Sequence, residues 1–378
     1  MLNIKKLVLA SALMLGVSLT AAAHDNIFVM GNAKGPNVVT MLKQKRDGSV
    51  EVKGVFPTGG QGAGVGTTVP FDPLGSQNSV ILNRSGRWLF NVNAGSDSIS
   101  VFKVRENSLE LVDVVDTHGR YPTSVAEYRG LVYVLNAIGD ASISGYTQDE
   151  DGKLTFISNV NLKAGTPDDR GQPFLLNSVS QISFSPDGEW LVMTKKNGET
   201  TPGSVTRFRV GDDGKLGAAQ TDIGAGAGQF GFLFDRHNNL IVSEALSGTI
   251  SSYRFNSETG AITSYARTPA RFSFCWLDFN GKYLYGSNPF DDSISGFRVG
   301  SDGSLTPLTS SSVVAQLQPN QVPTDVRFSR NGRYFYGISS ATGTLLAYKV
   351  DAATGLLTKL SETSLYAPFS GMQGITAE

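Results

Sequence analysis

The sequence predicts an all-β fold, a seven-bladed β-propeller of four-stranded blades, and three observations predict it. A short segment of alternating apolar and polar residues recurs seven times. A glycine-containing turn follows six of the copies, and a second hairpin precedes the clearest of them. Helix-period patterns are nearly absent after residue 23. Period-two alternation marks strands, and repetition at a few tens of residues marks a repeat architecture. Composition agrees: of 378 residues, 43 are glycine and only 17% are charged, which suits tight turns better than long solvated helices.

The chain opens with a targeting pattern. Lys5 and Lys6 precede an apolar, nearly charge-free run from Leu7 to Thr20, and Ala21-Ala22-Ala23 offers a cleavage site. The run of about 14 residues falls short of the roughly 20 that a spanning helix needs. Residues 1–23 are therefore expected to be a signal peptide, and 24–378 a periplasmic or secreted propeller domain with no membrane contact after cleavage.

The repeat is clearest at Ser98-Ile99-Ser100-Val101-Phe102. It returns from Ser142, Ser204, Thr249, Ser293 and Thr344, with a weaker first copy at Val38–Leu42. Equivalent apolar positions fall at 42, 102, 146, 208, 253, 297 and 348. Asp47-Gly48, Asp151-Gly152, Asp213-Gly214, Thr259-Gly260, Asp302-Gly303 and Thr354-Gly355 supply the turns, because glycine tolerates the positive φ they demand. Each turn leads into a further strand, at Val50, Leu154, Leu216, Ile262, Leu305 and Leu357; the second copy uses Asn107 before Leu109 instead. Upstream hairpins such as Phe184-Ser185-Pro186-Asp187-Gly188-Glu189-Trp190 complete the four strands. The first unit lacks its innermost strand, and Met372–Ala377 resembles one. That segment is expected to pair with Ile27–Met30 and close the ring, hiding sheet edges.

Charge and cysteine content exclude several function classes. Without Lys5 and Lys6 the chain carries 30 basic and 33 acidic residues, a net charge of about −3, with no basic run, so nucleic acid is not an expected partner. Cys275 is the single cysteine and sits between Phe274 and Trp276, as a buried structural thiol would. Neither a cysteine cluster nor a histidine cluster points to a metal, and no cofactor is expected.

A site in such a fold is expected at one mouth of the central channel. The second strands end there at Asn32, Asn93, Asn136, Lys195, Glu244, Asn288 and Ser339. Asn93, Asn136 and Asn288 can bind a polar ligand or brace neighbouring backbone. Loops leading into the blades carry His118 and Arg120, Arg170 (beside Asp168 and Asp169), and Arg271. His118 can serve as an acid or base near neutral pH or be an ordinary surface residue. The longest loop, Thr58–Gln77, holds a glycine-rich stretch, but no Lys-Ser/Thr and no helix follow, so it reads as a lid or spacer rather than a phosphate loop.

The repeat grammar over residues 27–377 resembles the lactonase family of seven-bladed propellers, which includes bacterial 6-phosphogluconolactonases and fungal carboxymuconate-lactonising enzymes. Phe184-Ser185-Pro186-Asp187-Gly188 looks like that family's F-S-P-D-G turn, and Glu244-Ala245-Leu246-Ser247-Gly248-Thr249-Ile250 like its N-E-L-S-S-T-V stretch, with Ser243 in place of Asn. The resemblance implies an active-site role for Glu244. It also exposes departures: Ser178 and Ser180 stand where the family has an H-x-H pair, Gln229 where it has an arginine, and Thr324 where it has another. Lactone opening needs a base for water and a cation or donors for the oxyanion. Glu244 is the expected base and Lys195, ending the neighbouring blade's second strand, its expected electrostatic partner; the two could equally form an interior salt bridge. Arg120, Arg170 and Arg271 are candidates to replace the missing arginines. Two functions follow: an exported lactonase-like hydrolase or cycloisomerase acting on a lactone or carboxylated sugar derivative, or a catalytically decayed propeller that binds a ligand or a protein partner.

Overall fold

The computed structural model describes residues 25–66, 69–164, 176–198 and 200–378. The predicted signal peptide and the Asp168-Asp169-Arg170 loop lie outside them. Seven antiparallel sheets form the ring. Blades 2 to 5 and 7 each run in chain order from an inner to an outer strand, starting at Val80, Pro122, Val179, Gln229 and Pro323. Blade 1 takes its innermost strand from the C-terminus: Ile375–Ala377 pairs with Asn26–Met30 in the register Ile27↔Ala377, Phe28↔Thr376, Val29↔Ile375. The ring is thus closed as expected.

Two local details differ from the sequence reading. In blade 6 the outer strand is broken into Leu305–Pro307 and Val313–Gln316, both paired with Ser293–Val299. In blade 4 the outer strand runs Gln220–Ala227, and Leu216 makes only an isolated bridge to Val210. Gly217-Ala218-Ala219 intervenes, and residues with little or no side chain supply no cross-strand packing to hold a ladder.

The repeated turns have a packing purpose. In Gly152 and Gly260, φ is +91° and +72°, and a Cβ at either would strike an indole of the preceding blade, Trp88 or Trp190, at 2.5 and 2.6 Å. The turn of one blade therefore seats on the aromatic residue that opens the second strand of the blade before it. Trp190 Nε1 fastens the contact by donating to the Ser257 carbonyl at 2.8 Å. A bulge recurs between the third and fourth strands, immediately before Leu42, Phe102, Tyr146, Tyr253 and Tyr348. Such bulges add local twist, which a propeller blade needs.

Candidate functional site

The ends of the second strands are built alike. Asn93 Nδ2 donates to Ser98 and Ser100 (3.3 and 2.7 Å), Asn136 Nδ2 to Ser142 and Ser144 (both 3.2 Å), and Asn288 Nδ2 to Ser293 and Ser295 (2.9 and 3.0 Å). The Ser-x-Ser opening of each third strand is thus the partner of the residue ending the second strand. All three asparagines are fully buried, and each spends its amide nitrogen on these hydroxyls.

Glu244 occupies the equivalent position in blade 5. It accepts from Thr249 Oγ1, from Ser251 Oγ (2.7 Å) and from Arg267 Nε (2.9 Å), and it is fully buried. The expected pairing with Lys195 is not formed. Lys195 is half-buried and donates to the Ala164 carbonyl at 3.3 Å, while burial lowers its pKa. Glu244 is spent on its own blade and Lys195 on the loop before blade 4, and strand alternation sends the next residue to the opposite face.

That next residue in blade 4 is Lys196. It is buried, donates Nζ to the Gly75 carbonyl (2.6 Å) and Ser180 Oγ (3.0 Å), and holds Nζ 4.7 Å from the centre of the Phe230 ring. Its acceptor Gly75 belongs to the loop expected to be a lid or spacer. Instead, the stretch from Asp72 to Gln77 is buried inside the channel and ties four blades together. Gln373 Nε2 of the closing segment donates to Asp72 Oδ1 (2.5 Å) and Ser76 Oγ to the Thr123 carbonyl (2.8 Å). Gly75 N donates to Asp72 Oδ1 (2.9 Å), and Trp276 Nε1 to the Ser76 carbonyl (2.8 Å). Gln77 exchanges two bonds with the backbone of Leu277. This loop is a plug, and it forms the floor of the mouth.

Above the plug lies a cavity of about 250 Å³. Phe71 and Asp72 come from the plug, Lys196 and Leu176 from blade 4 and its leading loop, and Phe230, Ala245 and Leu246 from blade 5. Blade 6 contributes Phe272, Cys275, Trp276 and Phe290. The cavity's ionisable groups are perturbed toward neutrality. Burial raises Asp72 to about 6, although the Lys196 charge and its own hydrogen bonds pull the other way. Burial lowers Lys196 to about 8, offset in part by Asp72. Burial pushes the Cys275 thiol well up, as for the inert structural thiol expected. Asp72 Oδ2 takes no hydrogen bond from the described residues, since both of the bonds that fix this carboxylate go to Oδ1.

The remaining sequence candidates sit on the rim or beyond it. Arg271 Nε is paired with Asp291 Oδ2 at 2.6 Å beside Phe272 and Phe290. His118 is exposed, 3.6 Å from Asp116 and packed on Phe156 with ring centres 4.0 Å apart. Arg120 is exposed on the same loop, and Arg170 lies outside the described residues. Among the described residues, no group of three or more histidine, cysteine, aspartate or glutamate side chains could hold a metal ion. A wider opening of about 570 Å³ lies at the other end of the channel, but its charged groups reach solvent, apart from the buried turn-capping Asp235.

Seven four-stranded blades enclose a plugged channel, and a small aromatic cavity with two buried ionisable groups lies at one mouth. The chain belongs to the lactonase family of seven-bladed β-propellers, whose model matches residues 128–279 and 276–369. It is 22% identical over 327 residues to a 6-phosphogluconolactonase of Formosa agariphila, covering 81% of this chain and 90% of that one. Among solved structures it is similar to the periplasmic gluconolactonase of Pseudomonas aeruginosa, with TM-score 0.72 and 17% identity over 93% of this chain and 99% of that one. A protein of Lactobacillus plantarum matches with TM-score 0.72 and 17% identity over 94% of this chain and 99% of that one. At such identities the structural likeness speaks for the fold alone.

Proposed function

We propose that this protein is an exported lactone hydrolase whose substrate occupies the mouth cavity above the plug. The observation that carries the reading is the placement of Asp72 and Lys196 in one aromatic cavity, each buried and each with its pKa moved toward neutrality. Paired groups displaced in this way are what acid–base chemistry near pH 7 requires. In the proposed reaction Asp72 Oδ2 takes a proton from water as the water oxygen bonds to the lactone carbonyl carbon. Lys196 Nζ faces the developing oxyanion. Collapse breaks the ring C–O bond, and the leaving oxygen recovers the proton from Asp72, yielding a hydroxy acid. Export is supported by the pattern over residues 1–23. No helix among the described residues is long and apolar enough to cross a membrane.

A binding module without turnover is favoured by a different observation. Asp72 and Lys196 both hold Gly75, so the pair also serves to fasten the plug. Hydrolysis of a lactone panel by the wild type, Asp72→Asn and Lys196→Met separates the two. Asparagine keeps the Oδ1 acceptor and so the plug. The hydrolase reading expects loss of at least about 100-fold in turnover for Asp72→Asn with an unchanged fold. Background rates in all three proteins would leave the binding module.

A further inference from the structure

We propose that the ligand of the mouth cavity is an uncharged lactone with an apolar alkyl or aryl body, not a phosphorylated or polyhydroxylated one. The lactone ring rests on the hydrolase reading above; the apolar body rests on the cavity walls.

Those walls are aromatic and aliphatic. Phe230 and Trp276 meet edge to face at 4.8 Å in the interior, and Phe71, Phe272 and Phe290 form a rim cluster with ring centres 5.6 and 6.0 Å apart. Phe272 and Phe290 are 54% and 64% exposed, large apolar surface left in water beside an apolar cavity. Such surface is favourable to cover and has nothing to offer the hydroxyls of a sugar, whose burial without partners is costly. The charges point the same way. Among the described residues lining the cavity, Lys196 is the sole cation, and it already donates to Gly75 and Ser180. At the rim, Arg271 is committed to Asp291. A phosphate dianion calls for several donors or an arginine fork. Here it would meet one partly satisfied ammonium and the Asp72 carboxylate, which repels it. The volume, about 250 Å³, lies at the small end of ligand sites and suits a monocyclic lactone with a short side chain.

The test uses two series on the full mature protein. Turnover is measured on γ-butyrolactone, γ-hexalactone, γ-octalactone, glucono-δ-lactone and its 6-phosphate. Binding is measured by calorimetry on the matching alkyl pyrrolidinones, which keep the ring and carbonyl but do not hydrolyse. The proposal expects affinity and kcat/KM to rise about tenfold or more for two added methylenes. It expects both sugar lactones to fall below γ-hexalactone. Phe272→Ala and Phe290→Ala, at exposed positions, are expected to flatten the chain-length ladder in both series. Rising pyrrolidinone affinity without turnover would sustain the ligand class while refuting the hydrolase. Preferential turnover of a sugar lactone, or a flat ladder in both series, would overturn the ligand class, and the first of these would leave the hydrolase standing.

Discussion

Replacing Gly260 with alanine tests how the blades are locked together. Two costs are expected. Gly260 has φ +72°, and an L-residue held in that region loses about 1–2 kcal/mol. The added Cβ would also lie 2.6 to 2.8 Å from three ring atoms of the buried Trp190, against an ordinary carbon contact of about 3.5–4 Å. The turn must then lift by about 1 Å, straining the Trp190 Nε1 bond to Ser257, and overpacking of this kind costs about 1–3 kcal/mol. Gly281 provides the control. Its φ is +93°, and nothing lies within 4 Å of the added Cβ, so Gly281→Ala meets the backbone cost alone. Equilibrium urea unfolding at fixed pH reads both variants through the midpoint, provided the slope is unchanged. Gly260→Ala should lose about 2–5 kcal/mol and Gly281→Ala about 1–2 kcal/mol. Equal losses would refute the claim that the turn glycine is demanded by the neighbouring indole.

Other expectations concern buried charge. Burial raises Asp325 from 3.8 to about 7 and Asp25 and Asp72 to about 6, so the folded protein binds these protons more tightly than the unfolded chain. Their stabilisation is complete below about pH 4 and is lost as pH rises through 6 to 7, so unfolding free energy should be higher at pH 5 than at pH 8. Asp325→Asn should flatten this dependence and stabilise the protein at pH 8, by an amount bounded near about 4 kcal/mol for the gap from 3.8 to about 7. A wild type equally stable at both pH values would contradict it. Arg267→Ala should destabilise more than Glu244→Gln, by about 2 kcal/mol in urea unfolding, because the first leaves a buried carboxylate without its cation.

The blades were legible because their signals are local. The Ser-x-Ser openings, the turn glycines and the aromatic residues beginning the second strands recur at fixed offsets, and each is used in the contact its repetition suggests. Glu244 was expected as the base; in the structure it stands where other blades have asparagine, in the same brace, with Thr249 and Ser251 as the hydroxyl pair and Arg267 as its cation. The cavity was harder to see. Lys195 was singled out because it aligns with the strand ends, but the side chain in the cavity is Lys196, one residue beyond the aligned register. Two adjacent lysines give periodicity no means of choosing between them. Asp72 was missed because the plug is aperiodic, and its anchors lie up to 301 residues away at Gln373. Arg267 sits on a half-exposed outer strand, where a charged side chain is unremarkable until its partner is known. Arg170, with Asp168 and Asp169, falls outside the described residues.

The central claim is that Asp72 and Lys196 act together on a lactone in the mouth cavity, and a pH–rate profile of lactone turnover tests it most directly. The two groups are set near 6 and 8, so kcat/KM for the free enzyme should be bell-shaped, rising as Asp72 ionises and falling as Lys196 loses its proton. Asp72→Asn should abolish the rising limb together with most of the rate. A profile without that limb in the wild type, or one unchanged in Asp72→Asn, would contradict the account.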